Sequence, residues 1–248
     1  MKKSGMWLFY GLLFLSFIFI SSCKKEHRWD MLKRTGDITT ELRNLPYFKQ
    51  IYVEDNVNVF ITQDVFREVK VEGGENLIPL IKTEVKESIL YIRNDNKCNW
   101  ARSYKKGVIN IYLTMQDLRF VYHDGSGLIK STDTIKTPIM DVWTKSSGDV
   151  DLTLYVDEVY SHMHSSADVT LRGYSSIQGL YHTGTGYFRA SDLFTYISWS
   201  TNKSAGNEYF YAANELSVIN EWVGDIYYRG NPATNFKGSG TGKFIHEN

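Results

Sequence analysis

Three groupings of side chains in this sequence have types and spacings that could do chemistry. His162 and His164 lie two apart on a presumed strand, hence on one face, and His182 follows about one repeat later. Stacked strands would bring His164 and His182 together as two metal ligands, with Asp149 and Asp168 as carboxylate donors. No third imidazole can be picked out, and solvent-facing histidines beside Trp143 and Tyr160 are the competing reading. The second grouping is Asp149, Asp151 and Asp168 with Arg172 and Arg189, types suited to calcium-assisted polysaccharide cleavage with an arginine base. Asp after Gly also stands in turns for local hydrogen-bonding reasons. The third is an aromatic surface of Trp143, His162, Tyr181 and Trp199, able to stack on sugar rings or simply to brace a sheet.

Other candidates fail on spacing. Gly238-Ser239-Gly240-Thr241-Gly242-Lys243 lacks the first Gly of a phosphate loop and has Phe244 where Ser or Thr should meet magnesium. No Gly-x-Ser-x-Gly elbow occurs. His123, Asp124 and Ser126 follow one another along a turn, which cannot build a hydrogen-bonded relay. No catalytic residue is assigned.

The 248 residues carry 28 Lys+Arg against 28 Asp+Glu, and loss of Lys2 and Lys3 with a leader leaves a charge of −2. That balance argues against a nucleic-acid partner. Residues 1–22 read as a signal peptide: Lys2 and Lys3, a mostly apolar run from Trp7 to Ile20, then Ile20-Ser21-Ser22-Cys23. The last four resemble a lipobox, which makes Cys23 the lipidation site and the membrane a partner through its acyl chains. Cys98 is left alone in a polar, turn-like setting. Residues 23–44 read as a polar tether. Lys24 is not the Asp that marks inner-membrane retention in some lipoproteins, so the outer membrane is expected, on either of its faces.

What must position the candidates is a repeat. Small-residue turns recur at Gly127, Gly148, Ala167, Gly186, Gly206, Gly224 and Gly242, spaced 21, 19, 19, 20, 18 and 18. Alternating runs such as Val150-Leu152-Leu154 and Leu118-Phe120-Tyr122 flank them, so each repeat holds at least two short strands. One repeat cannot bury its apolar face, and stacking closes a continuous core. Six steps of roughly 4.8 Å make a stack roughly 29 Å long. The expected fold is all-β: a right-handed parallel β-helix or β-solenoid, one domain over 45–248. Within it, 45–117 is a β-rich cap with the first rungs and 118–248 holds the repeats. An antiparallel sandwich is the competing architecture.

The layout resembles the Bacteroidetes family of unknown function described as "putative auto-transporter adhesin, head GIN domain". The likeness rests on the lipoprotein signal, the opening Phe48-Lys49-Gln50-Ile51-Tyr52-Val53, the repeated Gly-Ser-Gly-Asp-like turns, and the close Gly224-Asp225-Ile226-Tyr227-Tyr228-Arg229-Gly230-Asn231-Pro232 with Gly238-Ser239-Gly240. It covers about 45–248 and implies a β-helical fold in the cell envelope, with no catalytic residues. Two positions depart from the pattern. Ala167 replaces a turn Gly, so φ > 0 is unneeded or strained there. Glu208 takes an inward apolar place, which predicts a bulge or shifted register over Tyr209–Tyr211. The functional expectation is a non-catalytic envelope lipoprotein whose solenoid binds or adheres to a glycan or protein surface. The alternatives are a calcium-dependent polysaccharide-active enzyme and a structural or sensing envelope protein.

Overall fold

The computed structural model describes residues 35–96 and 108–247. The signal peptide, Cys23, most of the tether, Cys98 and Trp100 lie outside the described residues. Among the described residues, seventeen strands form one continuous hydrogen-bonded sheet, wound into a β-solenoid of about seven turns with a repeat of about 19 residues. The first eight are β1 (Ile38–Arg43), β2 (Gln50–Asp55), β3 (Asn58–Gln63), β4 (Glu68–Gly74), β5 (Ile81–Lys86), β6 (Ile89–Asn94), β7 (Asn110–Met115) and β8 (Phe120–Gly125). Four long strands make the middle: β9 (Ile129–Thr144), β10 (Val150–Met163), β11 (Val169–Gly184) and β12 (Phe188–Ser204). The last rungs are β13 (Glu208–Tyr211), β14 (Glu215–Asn220), β15 (Ile226–Arg229), β16 (Ala233–Lys237) and β17 (Phe244–His246).

The sheet folds into two facing walls. The front wall contains β6, β2, β8, the C-terminal halves of β9 to β12, then β14 and β16. The back wall contains β7, β3, the N-terminal halves of β9 to β12, then β13, β15 and β17. These pairings are parallel. Antiparallel pairing is confined to the N-terminal end, where β1 pairs with β4, β4 with β7 and β5 with β6. Such strands cover the first rungs as an atypical end repeat must. The strand at 38–43 corrects the tether reading: Ile38–Arg43 pairs with β4 from Gly74 to Val69 and is part of the cap.

Alternation holds because every rung has one wet and one buried face. In β10, Val150, Leu152 and Leu154 are buried while Asp151 and Thr153 are partly exposed. The small-residue anchors stack where the front wall turns back. They are required by close approach rather than by φ, since none of the seven is among the residues with positive φ. A Cβ on Gly206 would lie 1.6 Å from the Gly186 carbonyl oxygen, and one on Gly127 1.8 Å from that of Val57. Ala167, almost fully buried, therefore needs no left-handed backbone.

Uneven spacing has a local cause. Against β10, β9 carries two extra residues between Lys130 and Thr134, matching the 21-residue interval. Against β11, β12 carries one extra between Arg189 and Asp192, matching the interval of 20. Bulges in the back-wall halves of β9 and β12 absorb both. The predicted irregularity at Glu208 is absent: Glu208 pairs in register with Phe188 and Ile226 and points inward.

Candidate functional site

The front wall's outer face collects the predicted aromatic residues. Register places Trp143, His162 and Tyr181 in one column across β9, β10 and β11. Trp143 and His162 stack 4.1 Å apart at 24°, and His162 and Tyr181 are 6.5 Å apart at 40°. Trp199 stands in the adjacent column with Asp141, Tyr160, Gly179 and Ser217. A Cβ on Gly179 would lie 2.3 Å from Trp199 Cζ2 and 2.7 Å from Tyr160 Cδ1, so the indole takes the space of the missing side chain. Tyr160 donates its hydroxyl to Glu158 Oε2 at 2.6 Å. Burial pushes the half-buried Asp141 carboxyl up and His162 down, each partly offset by the other's charge. The face thus offers aromatic surface flanked by carboxylate acceptors, the usual makings of a binding surface.

The structure separates the proposed metal ligands. His164 lies outside, with Nδ1 3.1 Å from Thr183 Oγ1. His182 pairs with Met163 rather than His164 and points into the core. The true interval of 19 carries His164 to Thr183, so counting 18 changed the face. Asp149 and Asp168 are also occupied. Asp149 Oδ1 accepts from the Asp168 amide at 2.9 Å, and Asp168 Oδ1 accepts from the Tyr187 amide at 2.8 Å. Asn207 and Asp225 continue this ladder to the amides of Asp225 and Lys243. Arg189 takes the other Asp168 oxygen at 2.6 Å, and Arg172 pairs with Asp151. Among the described residues, no group of three or more His, Cys, Asp or Glu could hold a metal. The lyase reading loses its ligand set and its arginines to the scaffold.

One constellation was missed. His182 Nδ1 lies 3.1 Å from Glu208 Oε1, and its Nε2 lies 3.0 Å from Ser204 Oγ. Ser200 donates to Glu208 Oε2 at 2.7 Å. These are the partners and distances of a Ser-His-acid relay. However, His182 and Glu208 are 0% exposed, and Ser204 Oγ is already engaged by the Gly206 amide and the Gly184 carbonyl. With no surface for a substrate, the group braces the interior. Leu180 points inward, so the period-2 rule puts His182 inward too, a signal the sequence held.

Fold and face define a class: a parallel β-solenoid with an open aromatic and acidic outer wall and polar residues turned into its core. The chain belongs to the family described as "Putative auto-transporter adhesin, head GIN domain", which matches residues 47–232. Among solved structures it is similar to a "putative adhesin" from Bacteroides fragilis, with 22% identity and a TM-score of 0.78, covering 85% of this chain and 97% of that one. A "putative adhesin" from Parabacteroides distasonis gives 18% identity and a TM-score of 0.66 over 86% and 98%. A "putative lipid binding protein" from the same species gives 19% and 0.66 over 86% and 98%. At such identities the likeness establishes the fold alone. No curated protein matches the chain.

Proposed function

We propose that this chain is a non-catalytic, lipid-anchored protein of the outer membrane whose solenoid binds or adheres to a partner surface. The observation that carries the reading is the front wall's outer face, where one column holds Asp141, Tyr160 and Trp199 and Tyr160 bonds to Glu158 on a rigid stack. Asp149 and Asp168, by contrast, are spent on the scaffold. Family membership points the same way. The sequence Ile20-Ser21-Ser22-Cys23 supports anchoring, because several acyl chains hold a membrane durably where one does not. The test is antibody labelling of intact cells against residues 120–248, alongside protease cleavage of the chain near residues 24–37, with a periplasmic control. Labelling on unbroken cells is expected. Labelling only after the outer membrane is opened would end the adhesin reading in favour of a periplasmic structural or sensing role.

A further inference from the structure

We propose that the front wall around Trp199 binds an uncharged pyranose glycan lying across the strands, the indole stacking on one sugar while Glu158 and Asp141, on strands two and three away, accept from hydroxyls of the neighbouring units. The proposal rests on the binding reading above and gives it a ligand class.

Ring geometry singles out Trp199. A sugar needs an aromatic face that is free, and most outer rings here cover one another. Trp143 lies against His162 at 4.1 Å. At the corner between the walls, Tyr155 stacks on Tyr174 at 5.0 Å and 26°, and Tyr174 on Phe194 at 6.0 Å and 7°. These stacks spend their faces on the protein and turn ring edges to solvent. Trp199 has one ring neighbour among the described residues, Tyr160, at 6.2 Å and 45°, and remains 40% exposed. Gly179 sets its pose. The absent side chain opens a gap between Tyr160 and Trp199, and the benzo edge of the indole fills it. A ring held this way loses little freedom on binding, which is what preorganisation means for affinity.

The flanking charges choose the ligand. Asp141, Glu158 and Glu215 are carboxylates in the three outward columns, and between Ile139–Trp143 and Glu215–Ile219 these columns hold no Lys or Arg, Lys237 following one strand beyond Ile219. Among the described residues, no side-chain hydrogen bond satisfies the half-buried Asp141 carboxylate, and its upward-shifted pKa reflects the same lack of solvent. An exposed indole with carboxylates one to three strands away suits an extended glycan, with the C–H face of one pyranose on the ring and hydroxyls of its neighbours on the carboxylates. They repel uronic-acid and sulfated saccharides, so the class is neutral.

The test is calorimetry on the full-length protein in a non-glycoside detergent. The probes are hexasaccharides of β-glucan, galactan, mannan and chitin, with oligogalacturonate as the anionic comparison. At least one neutral hexasaccharide should bind. Trp199→Ala should weaken it at least tenfold, and Gly179→Ala similarly, because a Cβ displaces the ring. Trp222→Ala, an exposed tryptophan elsewhere, should leave binding unchanged, and far-ultraviolet dichroism checks that each variant is folded. No binding by any neutral probe, binding unchanged by Trp199→Ala, or preference for the anionic probe would each overturn the proposal. Surface labelling without glycan binding sinks this site and leaves adhesion to a protein partner standing. Glycan binding without surface labelling does the reverse.

Discussion

His123 provides a quantitative test of how the core is built. It lies on an interior column between Val53 and Thr144, 1% exposed, and neither ring nitrogen finds a hydrogen-bond partner among the described residues. Burial pushes its pKa down to about 4, against weaker opposing pulls from the Gly148 backbone and Asp124. Below pH 6.5 the unfolded chain takes the proton and the folded chain refuses it. Stability is therefore complete above pH 6.5, falls as pH drops, and stops falling from this cause near pH 4. The whole span is worth about 3 kcal/mol, of which about 2 kcal/mol is gone by pH 5. Urea unfolding at pH 7.5 and 5.0, followed by tryptophan fluorescence, should show a midpoint drop roughly 1 M larger in the parent than in His123→Leu. At pH 7.5 the variant should lie within about 1.5 kcal/mol of the parent, since Leu removes two unpaired nitrogens. Other titrating groups contribute equally to both proteins and cancel. Equal pH losses in the two would refute the reasoning.

Glu208→Ala should cost about 3–5 kcal/mol in urea unfolding, because it leaves His182 and Ser200 buried without their acceptor. Replacing His182 and Glu208 together by Leu should cost less than that single change. Gly206→Ala should destabilise by about 3 kcal/mol or prevent folding, its Cβ being blocked by the Gly186 carbonyl. Ala167→Gly should cost only about 1 kcal/mol, the entropic term. Asp168→Asn should retain the bond to the Tyr187 amide and unfold within about 1 kcal/mol of the parent, whereas Asp168→Ala should lose more. Millimolar calcium should leave the parent's melting temperature unchanged, and a clear rise would restore a metal site to the outer corner.

The solenoid was legible because its constraints are local and repeated. A small residue is demanded wherever one rung's backbone crosses close above another, and seven such places in register reveal the stacking direction. Even the departures from 19 were readable in kind, since β9 and β12 hold their extra residues as bulges. The cap was less legible. Ile38–Arg43 is exposed along most of its length, and such a strand is held by its backbone bonds to β4 rather than by burial. The functional face was half legible: composition named Trp143, His162, Tyr181 and Trp199, but nothing in composition separates rings stacked on each other from a ring left free. That distinction depends on Gly179, whose effect exists only once Trp199 is placed beside it across the sheet.

The same limit applies inside, where hydrophobic alternation ceases to be a guide. Early rungs are filled by residues such as Ile51, Val53, Val59 and Ile61, while later ones bury Gln178, His182, Thr195, Ser198, Ser200, Asn202, Ser204, Glu208 and Asn220. A stack of near-identical aliphatic rungs has many almost equivalent registers. Polar contacts remove that degeneracy. His182 meets Glu208, Ser198 meets Gln178, and Asn202 meets the Gly224 carbonyl, each a pairing between particular rungs. A one-residue slip of β11 would carry His182 to the outer face and leave Glu208 buried without its imidazole, a large penalty in a dry interior. An aliphatic rung that slips also exposes apolar surface, but it orphans no hydrogen-bonding group. The polar rungs therefore give up some burial energy and gain a single register, and they do so beneath the wall on which Trp199 must be held at a fixed height above Gly179.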